Sequence, residues 1–297
     1  VAELTWHDEL TDEQADEVIG LLAEAERTDG VAPVGEQVRL RMRPGARGSA
    51  HLLARVDGQV VGYAHLDLFG DSAGNKVAEL AVRPSHRRQG LGAALVTALT
   101  ERAEPLRIWA HGSHPDAERL AEKLGFQKVR ELLRMRLRLD ADLADAVLPE
   151  GVRLRTFVQG KDEAAVVYVN HRAFSWHPEQ GAMSIEDVRH KEQEDWFDPK
   201  GFLLAVDSDE RLLGFHWTKV HELDGDEPLG EVYVVGVDPD SQGGGLGKAL
   251  TLAGLRYLKD SGLRQVMLYV ESDNAPAVRV YTRLGFTLWD ADVQYAR

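Results

Sequence analysis

One glycine-rich turn occurs twice in this chain, and each copy sits among the same landmarks in the same order. The second copy follows an apolar, β-branched stretch, Glu231–Val237. It reads Asp238-Pro239-Asp240-Ser241-Gln242-Gly243-Gly244-Gly245-Leu246-Gly247-Lys248 and opens a helix-like apolar run. The first copy follows Val77–Val82 and reads Pro84-Ser85-His86-Arg87-Arg88-Gln89-Gly90-Leu91-Gly92-Ala93. Aligning Pro84 with Pro239 (239 − 84 = 155) places Arg87, Gly90, Leu91 and Gly92 opposite Gln242, Gly245, Leu246 and Gly247. Leu-Leu-Ala precedes each turn, at 52–54 and 203–205, and then a Gly-aromatic pair, Gly62-Tyr63 and Gly214-Phe215. Leu-Gly-Phe follows each, at 124–126 and 284–286. Four ordered landmarks indicate an internal duplication. The expected fold is therefore α/β, an α+β mixed sheet built twice in tandem. The expected division is 1–139, a linker at 140–151, and 152–297. The acids, Pro149 and Gly151 of that linker break the strand pattern.

A strand that feeds a glycine turn at a helix start is suited to phosphate, because backbone N–H groups converge there with the positive end of the helix dipole. Two common phosphate motifs fail on spacing. A P-loop needs Gly and Ser/Thr where Gln242 and Ala249 stand, and neither Gly243 nor Gly245 starts a dinucleotide series. The spacing that fits is Gln-x-x-Gly-x-Gly. A glycine turn without a ligand is the plain alternative.

At 297 residues the chain is long enough for two domains. It has no cysteine, which excludes a disulfide framework, a thiolate metal site and a thiol nucleophile. A net charge of −14 argues against nucleic acid as a partner and suits solubility or a cationic substrate. No apolar run reaches membrane-spanning length and no signal peptide is visible. The expectation is a cytoplasmic protein, a monomer, with no membrane partner.

In the first half, Thr11-x-x-Gln14 is a capping box before a helix that ends near Asp29-Gly30. Glu36 begins or precedes a short helix. Residues 51–56 and 59–68 read as strands joined at Asp57-Gly58. Gly70-x-Ser72-x-Gly74 matches a nucleophile elbow, but a strand follows it, so a hairpin loop is expected. A helix from Gly92 to Glu104 and strands at 106–110 and 127–139 complete this half. His111 and His114 lack a third ligand or a metal-binding spacing, and no metal is expected.

In the second half, a strand at 152–156 and a helix at 161–173 precede an aromatic and polar loop, Phe174–Gly181. Strands at 202–207 and 212–221 follow, with Phe215, Trp217 and Lys219 on one face by alternation. After the second glycine turn come a helix to Ser261, a strand at 265–270, and a helix capped by Asn274 with Pro276 in its first turn.

The glycine turn with its flanking strand and helix resembles the pyrophosphate loop of the GNAT superfamily of N-acetyltransferases. Asn274–Phe286 resembles the last CoA-binding segment of that superfamily, and Tyr281 occupies the position of its usual general acid. The resemblance implies acetyl-CoA as co-substrate. In the second half it would lie on Gln242, Gly243, Gly244, Gly245, Leu246, Gly247, Lys248 and Asn274, and on the splayed strand end Val235, Gly236 and Val237. In the first half it would lie on Arg88, Gln89, Gly90, Leu91, Gly92 and Ala93, and on Leu80, Ala81 and Val82. Glu231, two strand steps before Val235 on the same face by alternation, suits a general base acting directly or through water. Lys76 stands opposite Glu231 in the alignment and Ala121 opposite Tyr281, so the first half reads as catalytically silent.

Longer stretches narrow the resemblance. Val31–Gln37, His177–Gly181, Gly214–His221, Gly230–Val234 and Leu268–Asn274 resemble the mycothiol synthase family, over nearly the whole chain. That family transfers acetyl from acetyl-CoA to the cysteine amine of cysteinyl-glucosaminyl-inositol, a small-molecule amine and thiol sugar. The resemblance implies that Glu36, Glu179, Lys219, Glu231 and Tyr281 contact this substrate. An acetyltransferase for another amine, such as an aminoglycoside or a peptide, and a non-catalytic acetyl-CoA-sensing module are the competing readings.

Overall fold

The structure is a computed structural model, and it describes residues 2–42, 45–140, 142–177, 180–222 and 227–297. The chain forms two compact units. Unit 1 comprises residues 1–133, 271–273 and 290–297, and unit 2 comprises 134–270 and 274–289.

The elements begin with β1 (Glu3–His7), α1 (Asp12–Asp29), α2 (Glu36–Arg41), β2 (Ser49–Val56), β3 (Gln59–Asp67) and β4 (Lys76–Val82). Next come α3 (Leu91–Arg102), β5 (Leu106–Ala110), α4 (Pro115–Lys123) and β6 (Gln127–Arg138). The second repeat supplies β7 (Arg153–Thr156), α5 (Glu163–Ala173), α6 (Ile185–Lys191), β8 (Phe202–Val206), β9 (Leu212–His221) and β10 (Leu229–Val237). It ends with α7 (Leu246–Asp260), β11 (Gln265–Glu271), α8 (Ala275–Arg283) and β12 (Thr287–Ala296).

Unit 1 is a mixed sheet. Strands β1 to β4 pair antiparallel in sequence order, and β4 runs parallel to β5. The sheet is completed from the far end of the chain, where Val293–Ala296 of β12 pair antiparallel with Ala110–Arg107 of β5. Unit 2 repeats the plan. Strands β7 to β10 pair antiparallel in order, β10 runs parallel to β11, and β6 lies beyond β11. The compact units thus follow the two repeats except at the ends, where each takes strand residues from the other repeat.

Helices cover both faces of each sheet, which is why the central strands read as continuous apolar runs rather than alternating ones. On β2, Leu52 packs with Leu91, Leu95 and Leu99 of α3, while its neighbour Leu53 packs with Val18, Leu21 and Leu22 of α1. On β8, Leu204 joins Val166 and Val169 of α5, and Ala205 joins Leu246 and Leu250 of α7. Local sequence sets the helix ends. Thr11 and Gln14 form a reciprocal capping box on α1, and Gly30 closes it at φ 72°. The hairpin turn Asp57-Gly58 has φ of 50° and 81°, the left-handed pair that Asp-Gly favours. The Gly70–Gly74 segment joins antiparallel β3 and β4, a hairpin loop and not an elbow.

Candidate active site

Helices α1, α6 and α8 are closed at their starts by the side chains of Thr11, Ser184 and Asn274. Helices α3 and α7 are not. Their N-caps are Gly90 at φ 87° and Gly245 at φ 81°, with no side-chain cap. A helix start leaves orphan N–H groups, and here they face a glycine turn without a side-chain cap among the described residues. That donor set fits an anion such as a pyrophosphate.

Both turns are pinned in the same way. Arg87 Nε donates to the carbonyl of Val82 at 3.1 Å, and Gln242 Nε2 donates to that of Val237 at 3.2 Å. The side chain at the first motif position therefore braces the turn against the strand end, and the backbone is left for a ligand. A second tie runs to the covering helix. In unit 1, Arg87 pairs with Asp29 at the end of α1 through two contacts of 2.7 Å. In unit 2, Arg172 on α5 pairs with the buried Asp238.

Beside each turn two parallel strands part. The β10–β11 pairing runs from Gly230–Val266 to Val232–Leu268, whereas Val235, Gly236 and Val237 pair only with β9. In unit 1 the β4–β5 pairing continues to Glu79–Trp109, and Leu80, Ala81 and Val82 lie beyond it. Residues 232 and 234 correspond to 77 and 79, so unit 2 opens two residues earlier. Its opening coincides with a bulge. Val232 pairs with Thr218 and Val234 with Trp217, so Tyr233 is the extra residue.

The bulge corrects the expected face of Glu231. Glu231 pairs with Lys219, Val234 with Trp217 and Gly236 with Phe215, and these β9 residues share one side. Directly paired residues point the same way. Glu231 therefore shares a face with Val234 and Gly236, on the α5 side, and Val235 lies on the other. Simple alternation fails because one residue is inserted between them.

Unit 1 has no shift in its β3–β4 register, so the sequence match of Lys76 to Glu231 does not carry into space. Alternation puts Lys76 on the α3 side with Ala78 and Leu80. The carboxylate on the α1 side, the counterpart of the Glu231 face, is Glu79, paired with His65. It is already engaged: it accepts from Gly35 N at 2.6 Å and from His111 Nε2 at 2.9 Å. His111 Nδ1 lies 3.1 Å from Asp292. Burial alone would lower the His111 imidazole, but its hydrogen bonds to the Asp292 and Glu79 carboxylates outweigh it and hold it up at about 10.

A cleft of about 430 Å³ opens in unit 1 where the strands part. Leu80, Ala81, Val82, Arg88, Gly90, Leu91, Gly92 and Ala93 line it, together with Trp109, His111, Ala121 and Tyr295. Gln89 is exposed on the turn and is not part of the lining. Trp109, His111 and Tyr295 were not singled out for this site by sequence. His111 had a signal, the pair with His114, but its carboxylate partners lie far away in the chain.

In unit 2, Glu231 is 6 % exposed, and its Oε2 lies 2.5 Å from His221 Nε2. Lys219 Nζ lies over the rings of Trp196 at 4.8 Å and Tyr233 at 5.6 Å. Lys219, His221 and Glu231 thus meet on one face beside the strand opening, walled by Trp196, Trp217 and Tyr233. Tyr281 lies on α8, edge-on to Phe286 at 5.7 Å. Burial pushes its hydroxyl up to about 12, which keeps it protonated at neutral pH. Asn274 accepts from Ala277 N at 3.3 Å as the cap of α8. Gln242, Gly243, Gly244, Gly245 and Lys248 are exposed on the turn, with Leu246 buried and Gly247 between these extremes. Glu36 opens α2 in unit 1. Glu179 lies outside the described residues. Among those residues no helix is long and apolar enough to cross a membrane.

The acetyltransferase (GNAT) family model matches the chain twice, at residues 12–126 and 170–286. A mycothiol acetyltransferase of Actinosynnema mirum is 67% identical over 100% of both chains. One of Saccharopolyspora erythraea is 57% identical over 94% of this chain and 100% of its own. A solved tandem GNAT protein from the clavulanic acid biosynthesis pathway superposes with a TM-score of 0.73 at 23% identity, covering 100% of this chain and 98% of its own, a likeness of fold. The chain belongs to the acetyltransferase (GNAT) family, carries that domain twice, and is an N-acetyltransferase whose relatives include the mycothiol acetyltransferases.

Proposed function

We propose that this chain carries acetyl from acetyl-CoA to the cysteine amine of cysteinyl-glucosaminyl-inositol, the last step of mycothiol biosynthesis. The relatives' shared name supports the pathway. The observation that carries the chemistry is the placement of Glu231, a buried carboxylate beside the point where β10 leaves β11.

The reaction needs a grip on the CoA pyrophosphate, a base for the ammonium, a donor for the oxyanion and a proton for the leaving thiolate. In this reading the backbone of Gln242–Lys248 takes the pyrophosphate, and the unpaired edge of Val235–Val237 takes the pantetheine and the thioester carbonyl. Glu231 removes a proton from the amine, directly or through water. Tyr281, held protonated by burial, returns one to sulfur. Lys219 meets the sugar hydroxyls, and Glu36 and Glu179 are further acceptor contacts. Unit 1 binds acetyl-CoA at Leu80–Val82 and Arg88–Ala93 without turnover. Its carboxylate on the corresponding face, Glu79, is occupied by Gly35 and His111, which supports a silent role.

The test is steady-state CoA release with the cysteinyl pseudodisaccharide against simple amines, aminoglycosides and peptides. Selective turnover of the pseudodisaccharide is expected. Equal or better turnover of another amine class would replace the acceptor, and no turnover of any amine would end the reading.

A further inference from the structure

Acetyl transfer from a thioester to an ammonium group releases one proton per turnover. The ammonium carries three N–H protons, the amide keeps one, the thiol takes one, and one must leave the site. On the reading that Glu231 is the base, that proton starts on a carboxylate whose side chain is only 8% exposed. Among the described residues Glu231 has one side-chain hydrogen bond, Oε2 to His221 Nε2 at 2.5 Å.

His221 is placed as an outlet. It lies two residues beyond Lys219 on the same side of β9, past the last β8–β9 pair at Trp217–Phe202. Among the described residues no strand flanks it on that side, and its side chain is 28% exposed. An imidazole can take a proton on one nitrogen and release one from the other. Lys219, Tyr233 and the indole N–H groups of Trp196 and Trp217 also belong to this face. Lys219, over the rings of Trp196 and Tyr233, is a cation that adds no proton acceptor.

We propose that His221 is the proton exit of the acceptor site and acts through Glu231. The ammonium N–H bond breaks as the Glu231 O–H bond forms. Glu231 passes this proton to Nε2 of neutral His221, and the Nδ1 proton leaves to water. The carboxylate is restored with Nε2–H donating to it, and exchange with water, one proton gained at Nδ1 as one leaves Nε2, returns the starting tautomer. No electron pair leaves the site and no co-reactant is needed.

The experiment uses the full chain with acetyl-CoA and the cysteinyl pseudodisaccharide. In His221→Ala, kcat is expected to fall by about tenfold to a hundredfold, with KM for acetyl-CoA unchanged. Added imidazole should restore the rate in proportion to its concentration, while the parent protein does not respond. His221→Gln keeps an N–H donor toward Glu231 but cannot relay a proton, so it should stay slow. A parental rate in His221→Gln, or no imidazole response in His221→Ala, overturns the relay. Glu231→Gln separates this from the reading beneath it. If Glu231→Gln turns over at the parental rate, the base assignment fails and the relay with it. If Glu231→Gln is slow while His221→Gln is fast, the relay alone fails.

Discussion

Arg172 on α5 grips Asp238 at the end of β10 from two nitrogens, Nε to Oδ2 at 2.9 Å and Nη2 to Oδ1 at 3.1 Å. Asp238 aligns with Arg83, and unit 1 makes the same tie with the charges reversed, Glu24 on α1 and Arg83 at the end of β4. Duplication preserved the link between covering helix and strand end while its polarity changed. Arg172→Ala leaves the buried Asp238 carboxylate without its guanidinium, so a lower Tm and weaker acetyl-CoA binding at the unit 2 turn are expected. Thermal unfolding and titration calorimetry check both. Burial pushes the Asp238 carboxyl up, but Arg172 and the Asp240 N–H more than offset this and hold it below the usual carboxylate range. Its contribution to stability is therefore present above about pH 4 and is lost as pH falls through the depressed folded value. Asp238→Asn should flatten that acid limb.

The carboxylates that hold His111 raise its imidazole far above the ordinary value of about 6.5. The folded protein then binds this proton more tightly than the unfolded chain. The stabilisation is complete below about pH 6.5 and fades as pH rises toward about 10. His51 and His65 act in the opposite sense. Burial, the larger cause for both, pulls each down to about 4, so unit 1 loses stability as pH falls from about 6.5 toward that value. His111→Gln should cost about 3 kcal/mol at neutral pH, because Glu79 and Asp292 then face each other without the cation. Its Tm should also change less than the parent's between neutral and alkaline pH. A parental Tm for His111→Gln across that range would contradict the assignment.

Two helical glycines should respond to alanine with opposite signs. A Cβ on Gly254 of α7 would stand 2.1 Å from the His216 ring, which is fully buried and bonded through Nδ1 to the Leu250 carbonyl at 2.8 Å. The close approach lets α7 pack on β9, and Gly254→Ala should destabilise by about 1–3 kcal/mol. Gly20 of α1 has nothing within 4 Å of its Cβ position. There only the helix propensity acts, and Gly20→Ala should stabilise by about 1 kcal/mol. Urea unfolding of the two variants tests the pair.

Local signals were legible in the chain. The capping box of α1, the Asp57-Gly58 turn and the Asn274 cap each need only a few neighbouring residues, and each recurs in the structure. The duplication was legible because it repeats short motifs. The strand that completes unit 1 was not. Residues 293–296 pair with 107–110 through long-range packing, which leaves no mark in either segment alone. The bulge at Tyr233 was hidden for a related reason. A bulge adds one residue without a change in composition, yet it turned Glu231 to the opposite face from Val235. The partners of His111 were invisible because Glu79 and Asp292 come from different strands. Helix α6 had a signal that went unused, Ser184 with Asp187 in the capping-box spacing.

Removal of either proton-transfer group should slow the chemistry without loss of acetyl-CoA. Glu231→Gln keeps the shape of the side chain beside Lys219 and His221 but removes its basicity. Tyr281→Phe keeps the packing on Phe286 but removes the hydroxyl. Each should lower kcat by roughly a hundredfold or more, with acetyl-CoA affinity within about twofold of the parent, since general acids and bases act on the transition state. Unchanged turnover in both would remove these assignments.

The two glycine turns allow the units to be tested separately. Gly90 and Gly245 are the N-caps of α3 and α7, and both have left-handed φ, which a β-branched residue adopts at a cost of about 1–2 kcal/mol. Gly90→Val should distort the unit 1 turn, and Gly245→Val the unit 2 turn, each with its own strand pairing intact. If both units bind acetyl-CoA and only unit 2 reacts, calorimetry should give two sites for the parent and one for each variant. Turnover should survive in Gly90→Val and collapse in Gly245→Val. Collapse in Gly90→Val with one site still filled would make unit 1 a requirement for catalysis. Survival in Gly245→Val would move the reaction to unit 1, where Glu79 and His111 would then have to be reconsidered as its base and partner.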